Sequence, residues 1–339
     1  NDGQFDEFGL NGAVTHDFGS QGSYTVRIQG SYTAIRFNNS GDRLKICDLL
    51  QWGSNRWSTM KNAFKGASNL IVSATDTPDF SAVVSMANMF NKATLANPDT
   101  SQWDTSSVTN MQGMFWRALS AQPDTSNWDV SSVTDMGSLF GRAKSAKPDT
   151  SNWDTSAVTN MRRMFFWAIV AEPDTSAWNT SSVTNMWGMF SRARVAQPNT
   201  SSWNTSSVTD MGRMFNWATN AKPDTSGWDT TAVTNMSSMF NLAASATPDT
   251  SGWDTSSVSN MSAMFKRATL ANPQTHNWNT AAVTDMSYMF ANATNAEPDT
   301  TKWNTSSVTD MESMFEAARA ADPDTSNWDT SEVTNMRAM

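Results

Sequence analysis

The 339-residue length alone would suggest two or three globular domains, but the composition favours Thr, Ser, Asn, Asp, Met and Trp over Leu, Ile and Val, which predicts a repeat. A net charge of −9 argues against nucleic-acid binding, because holding phosphates takes a basic surface that displaces their counterions. The single cysteine, Cys47, excludes intrachain disulfides and multi-thiolate metal sites, and His16 and His276 lie too far apart in sequence to suggest His-based catalysis.

At the N-terminus the chain begins with Asn1 rather than Met, which reads as a processed protein or a fragment. No signal peptide is expected from these residues, and no apolar run approaches the roughly 20 residues that span a bilayer. The stretch "THDFGSQGSYTVRIQGSYTAIRF" alternates like a β-hairpin with Tyr24, Val26 and Ile28 on one face, so residues 1–44 are read as a β-rich N-terminal segment. Residues 45–97 read as irregular capping repeats. There Cys47 is expected as a small buried apolar residue, and Met60, Phe64 and Ala67 keep a helical spacing. Met86, Met89, Phe90 and Ala93 then match the later repeat without its Trp.

Residues 98–339 carry ten 25-residue repeats, the last one truncated, with Trp103, Trp128, Trp153, Trp178, Trp203, Trp228, Trp253, Trp278, Trp303 and Trp328 in one column. A single unit cannot bury its own apolar face, so neighbours must stack. Within a unit, Met111, Met114, Phe115, Ala118 and Ala121 follow i, i+3, i+4, i+7, i+10, which predicts an α-helix with Thr109 as its N-cap. The "PDTSxW" segment predicts a short strand starting at Pro98, with Thr100 and Trp103 inside. Strands stack at about 4.8 Å but helices at about 8–10 Å, so the array is expected to curve, helices outward. Each Trp would bury on the order of 200 Å², or about 5 kcal/mol as an upper bound. The final unit stops at Met339 before its expected Phe, which predicts further chain beyond it.

The block "WDTSSVTNMxxMF" resembles the BspA-like leucine-rich-repeat surface proteins of bacteria over about residue 45 to the end. Two departures stand out: Pro98 and Thr100 replace strand leucines, and Ala118 replaces a frequent Cys. The resemblance implies an α/β repeat solenoid: a curved leucine-rich-repeat-like array with short parallel strands on the concave face, helices on the convex face and a β-rich cap. It also implies an extracellular or cell-surface location and an adhesive rather than enzymatic role. The N-terminal stretch is similar to the last strands of PKD-like β-sandwich modules, or else supplies the first strands of the cap.

Three sets of columns could carry chemistry. Asp99, Asp124, Asp149, Asp174, Asp224 and Asp249 form a carboxylate row that would suit Ca²⁺ as the one candidate cofactor; alternatively each Asp accepts local turn hydrogen bonds. Position 104 alternates between Asp and Asn, which favours the turn reading. Thr100, Thr105 and Thr109 resemble the Thr rows of ice-binding solenoids, but with Thr100 inward they read better as internal hydrogen-bond ladders. His276 reads as local drift without converging partners.

Positions that vary against this fixed frame form the surface. Trp116, Arg117, Arg162, Arg163, Phe166, Trp167, Trp187, Arg192, Arg213 and Trp217 gather Arg and aromatic residues in adjacent columns, and Arg142 shares one of those columns. They are read either as a contact surface for a protein or glycan, or as Arg stems covering Trp rings without any partner. The overall reading is a non-enzymatic binding or adhesion module. The alternative is a self-associating spacer or filament. Neither nucleic acid nor membrane insertion is expected.

Overall fold

A computed structural model describes residues 18–339, so the expectation for His16 falls outside the described residues. The chain divides into two compact units, with the boundary between Tyr32 and Thr33. In the first unit, residues 18–32 contain neither strand nor helix. The Tyr24 ring stacks on Phe18 at 4.4 Å and its hydroxyl donates to the Ser20 carbonyl at 2.8 Å. Tyr24, Val26 and Ile28 are exposed, so the expected β-hairpin and β-rich cap are not formed among these residues.

The second unit is a stack of coils, and from Ser85 onward each takes 25 residues to return to the same position. Its regular elements are a 3₁₀ turn at Gly41–Leu44 and two short parallel strands, β1 (Asp48–Leu49) and β2 (Ile71–Val72), paired Asp48 to Ile71 and Leu49 to Val72. Cys47 in this first coil is exposed rather than buried. Beyond it, single-residue parallel bridges link Ser85 to Asn110, Asn110 to Asp135 and so on to Asn335. The described residues contain no α-helix. The expected α/β solenoid, with convex helices and a strand at Pro98–Trp103, is therefore corrected: the coil is a polygon of β-turns.

The hydrogen bonds show why. Carbonyls of Thr100, Thr105, Met111, Gly113, Phe115 and Ala118 accept from the N–H groups of Trp103, Val108, Met114, Trp116, Ala118 and Ala121, each three residues on, which closes six turns in one coil. The remaining donors reach across the stack: Met111, Gly113, Phe115 and Arg117 donate to Asp135, Gly137, Leu139 and Gly141 of the next coil at 2.8–2.9 Å. Backbones bonded this way lie about 4.8 Å apart, too close for helices, which need about 8–10 Å. The requirement for curvature disappears with the helices. Alternating local and inter-coil bonds also force a left-handed residue twice per coil, as at Gly113 (φ 59°) and Arg117 (φ 60°). That is the third residue of a type II turn, which favours glycine.

Inside the coils, Pro98, Thr100, Trp103, Val108, Met111, Met114, Phe115, Ala118 and Ala121 are buried, and so are their equivalents through most of the array. Consecutive Trp rings from Trp128 onward stack at 6.3–6.4 Å and within 5° of parallel, and a second column of Phe rings runs beside them. Thr100 and Thr105 point inward, and their hydroxyls donate to the Asp124 and Asp129 carbonyls of the next coil at 2.6 and 2.8 Å. These are the expected internal ladders. Thr109 caps no helix; its N–H and hydroxyl both donate to the Val84 carbonyl of the preceding coil.

Candidate binding face

The turns determine what the surface can display. Arg117, Arg142, Arg163, Trp167, Arg192, Arg213 and Trp217 all have φ between 56° and 64°, the third position of a β-turn, where the side chain leaves the coil. Stacked coils bring these side chains into two rows.

In one row the Arg142 guanidinium carbon lies 4.8 Å from the centre of the Trp167 ring, and Arg192 of the following coil lies 4.8 Å from the same ring and 5.3 Å from Trp217. In the other, Arg162 and Arg163 approach Trp187 at 4.9 and 4.4 Å, with Arg213 of the next coil at 5.4 Å. Each exposed cation–π pair of this kind contributes about 0.5–1 kcal/mol. Trp116 and Phe166 stack at 5.9 Å although a whole coil separates them. Gly141 makes this possible: a Cβ there would meet the Trp116 ring at 2.3 Å.

The structure therefore brings together every residue of the sequence-derived patch, with Arg117 at its edge. It also adds Arg142, which touches Trp116, Phe166 and Trp167 at once. Among the described residues none of these arginines forms an ion pair with a carboxylate; Asp210 is close enough to Arg162 to feel its charge. Burial first, and neighbouring arginines second, hold the Arg142 and Arg163 guanidiniums below their usual range. The Nε atoms of both are buried without a hydrogen-bond partner.

Beside this face lies a groove of about 490 Å³ lined by Arg43, Lys92, Arg117, Arg142 and Lys144, with Leu44, Leu119 and Trp167 as its apolar part. Sequence columns point to Arg117 and Arg142 but not to Arg43, which comes from the irregular first coil.

The acidic columns serve turns. Asp124 Oδ1 accepts from the Ser126 N–H at 3.1 Å and its hydroxyl at 2.6 Å, and Asp149, Asp174, Asp224 and Asp249 repeat this with Ser151, Ser176, Ser226 and Ser251. Asp99 accepts from the Ser101 N–H at 3.0 Å. Asn199 makes the same turn with Ser201, so an oxygen is required there and a charge is not. Among the described residues no three acidic, His or Cys side chains are grouped to hold a metal ion.

His276 has partners that its sequence context does not reveal: Nδ1 lies 2.7 Å from Asp299 Oδ2 and Nε2 lies 2.7 Å from Lys302 Nζ. An ammonium can only donate, so Nε2 accepts and Nδ1–H donates to Asp299. Hydrogen bonds from the Thr301 hydroxyl, then His276, hold the Asp299 carboxyl down at about 2.

Hydrogen bonds from Ser or Thr two residues on lower the carboxyls of Asp99, Asp124, Asp149, Asp174, Asp224 and Asp249 below the usual aspartate range. Groups depressed on folding stabilise above the unfolded pKa and lose that contribution as pH falls through the folded one. The thermal midpoint is therefore expected to hold from neutral pH down to about 4 and to fall below that. Asp210, raised chiefly by burial, works against this trend. Circular dichroism melts across that range check it; a midpoint unchanged at the acid end would show that the Asp turns contribute nothing.

No curated protein matches the sequence. A family model described as "Mycoplasma protein of unknown function, DUF285" matches residues 58–174, 140–250, 168–275 and 243–339, which together span the stack from Ser58 to the last residue. With most of its length matched by that repeat, the chain belongs to the DUF285 family.

Proposed function

We propose that the chain is a non-enzymatic binding module, displayed outside a bacterial cell like the BspA-like surface proteins its repeats resemble. It binds a protein or glycan through the Arg–aromatic face of the coils between Trp116 and Trp217. One observation carries this reading: a chain of net charge −9 gathers Arg117, Arg142, Arg162, Arg163, Arg192 and Arg213 on one face, with no carboxylate paired to them among the described residues. Holding like charges together costs free energy, which stacking on Trp and Phe offsets and which a partner supplying negative or acceptor groups would offset further. Arg and Trp are also the side chains most enriched at interface hot spots.

The test is an array of glycans and matrix proteins probed with the full chain and with the double variant Trp167→Ala/Trp217→Ala. Hits are expected to weaken at least about tenfold in the variant while its melting profile is retained. Should that variant unfold, Arg162→Glu/Arg213→Glu, at two exposed positions, replaces it. Hits that ignore both variants would overturn the proposal. Patch-dependent self-association in sedimentation, without any array hit, would favour a structural spacer instead.

A further inference from the structure

We infer that the groove beside the Arg–aromatic face takes an acidic oligosaccharide carrying sulfate or carboxylate groups on successive rings. This rests on the binding-module reading and names the ligand class for it.

The charge of the groove selects the ligand class. Arg43, Lys92, Arg117, Arg142 and Lys144 line the groove, and no Asp or Glu lines it. The donors are presented for such a ligand. The Arg142 guanidinium lies 4.8–5.9 Å from the centres of three aromatic rings and pairs with no carboxylate among the described residues. Its Nε is buried, so its terminal N–H groups are the donors that a carboxylate or sulfate would meet.

Spacing points the same way. Lys92, Arg117 and Arg142 occupy the same position in three successive coils, so their backbones form a row with a step of about 4.8 Å. An extended chain of pyranose rings advances by a similar step, so successive rings can each place an acidic group on one coil. An extended peptide offers side chains on one face only every 6.6 Å or so, out of step with the row. Leu44 and Leu119, both exposed, give the C–H faces of the sugar rings an apolar floor.

A nucleic acid fits less well. Single strands are held by bases stacked on open aromatic faces, and Trp167 carries Arg142 from the coil before and Arg192 from the coil after, each at 4.8 Å.

Isothermal titration of the full chain with short, size-defined ligands tests the inference. The probes are a sulfated glycosaminoglycan fragment, an oligogalacturonate, a neutral malto-oligosaccharide, an oligo-aspartate and an oligo-thymidylate. At least one acidic saccharide is expected to bind more tightly than every other probe, with affinity falling as salt rises, and the first two arms decide between sulfate and carboxylate. Arg117→Glu/Lys144→Glu, at two exposed positions, is expected to weaken that binding about tenfold or more with an unchanged thermal midpoint. Equal binding of the neutral sugar, of aspartate or of thymidylate, or indifference to the charge reversal, would overturn the inference. Array hits that depend on Trp167 and Trp217 but include no acidic saccharide would overturn it too, while leaving the wider binding reading intact.

Discussion

Trp203→Ala is expected to destabilise the stack by about 3–5 kcal/mol, the range for removing a large aromatic from a packed core. Trp203 is 3% exposed, and its ring lies between Trp178 at 6.3 Å and Trp228 at 6.4 Å. Its truncation leaves a cavity that neither neighbour can close, because each is held by its own stacking partner and by inter-coil backbone bonds. The indole Nε1–H also donates to the Thr175 carbonyl at 3.5 Å, a bond the variant loses. Each coil touches only its neighbours, so the damage falls on two interfaces at once. Trp328→Ala provides the comparison. Its ring stacks on Trp303 at 6.4 Å and is partly exposed, so the same truncation there is expected to cost about half as much. Urea denaturation of the two variants checks the pair, and equal costs would show that the Trp column does not act through stacking.

The 25-residue period, the buried set from Pro98 to Ala121, the inward Thr ladders and the members of the Arg–aromatic face were legible in the sequence. The backbone conformation was not, for a specific reason. A β-turn brings residues i and i+3 together just as a helix does, so Met111, Met114, Phe115 and Ala118 satisfy both templates. Two signals could have separated them. Gly113 and Gly188 stand where a helix interior disfavours glycine and a type II turn requires positive φ. The mismatch between strand and helix spacing, resolved by curvature in the sequence reading, also argued against helices altogether. Arg163, Tyr288 and Leu242 masked the glycine signal, because large side chains occupy left-handed positions in other coils. The groove was illegible because Arg43 comes from the irregular first coil, where no column predicts its neighbours. His276 reads as drift in the sequence because its partners, Asp299 and Lys302, come from the next coil and meet it only when the coils stack.

Ala263 distinguishes turn from helix by the sign of a single substitution. It lies between Met261 and Met264, in the interior of the helix that the spacing predicts, yet its φ is 52° and its N–H donates to the Ser287 carbonyl of the next coil at 2.7 Å. In a helix, Ala263→Gly would cost about 1 kcal/mol. In the observed turn the left-handed conformation itself costs an alanine about 1–2 kcal/mol, which glycine avoids. Glycine's greater unfolded-state entropy returns part of that, so the variant is expected to be more stable by about 0.5–1 kcal/mol. Ala263→Pro is expected to do the opposite and on a larger scale. Its ring fixes φ near −65° and removes the donor, so it breaks both the turn and the link to the next coil, at a cost of more than about 3 kcal/mol. The proline penalty holds for either backbone, which makes it the control for sensitivity of the assay. The glycine result decides: a loss of stability for Ala263→Gly in urea denaturation would return the segment to a helix, whereas a gain places the chain's recurrent cost in its left-handed turns, the positions from which Arg163 and Arg213 reach the binding face.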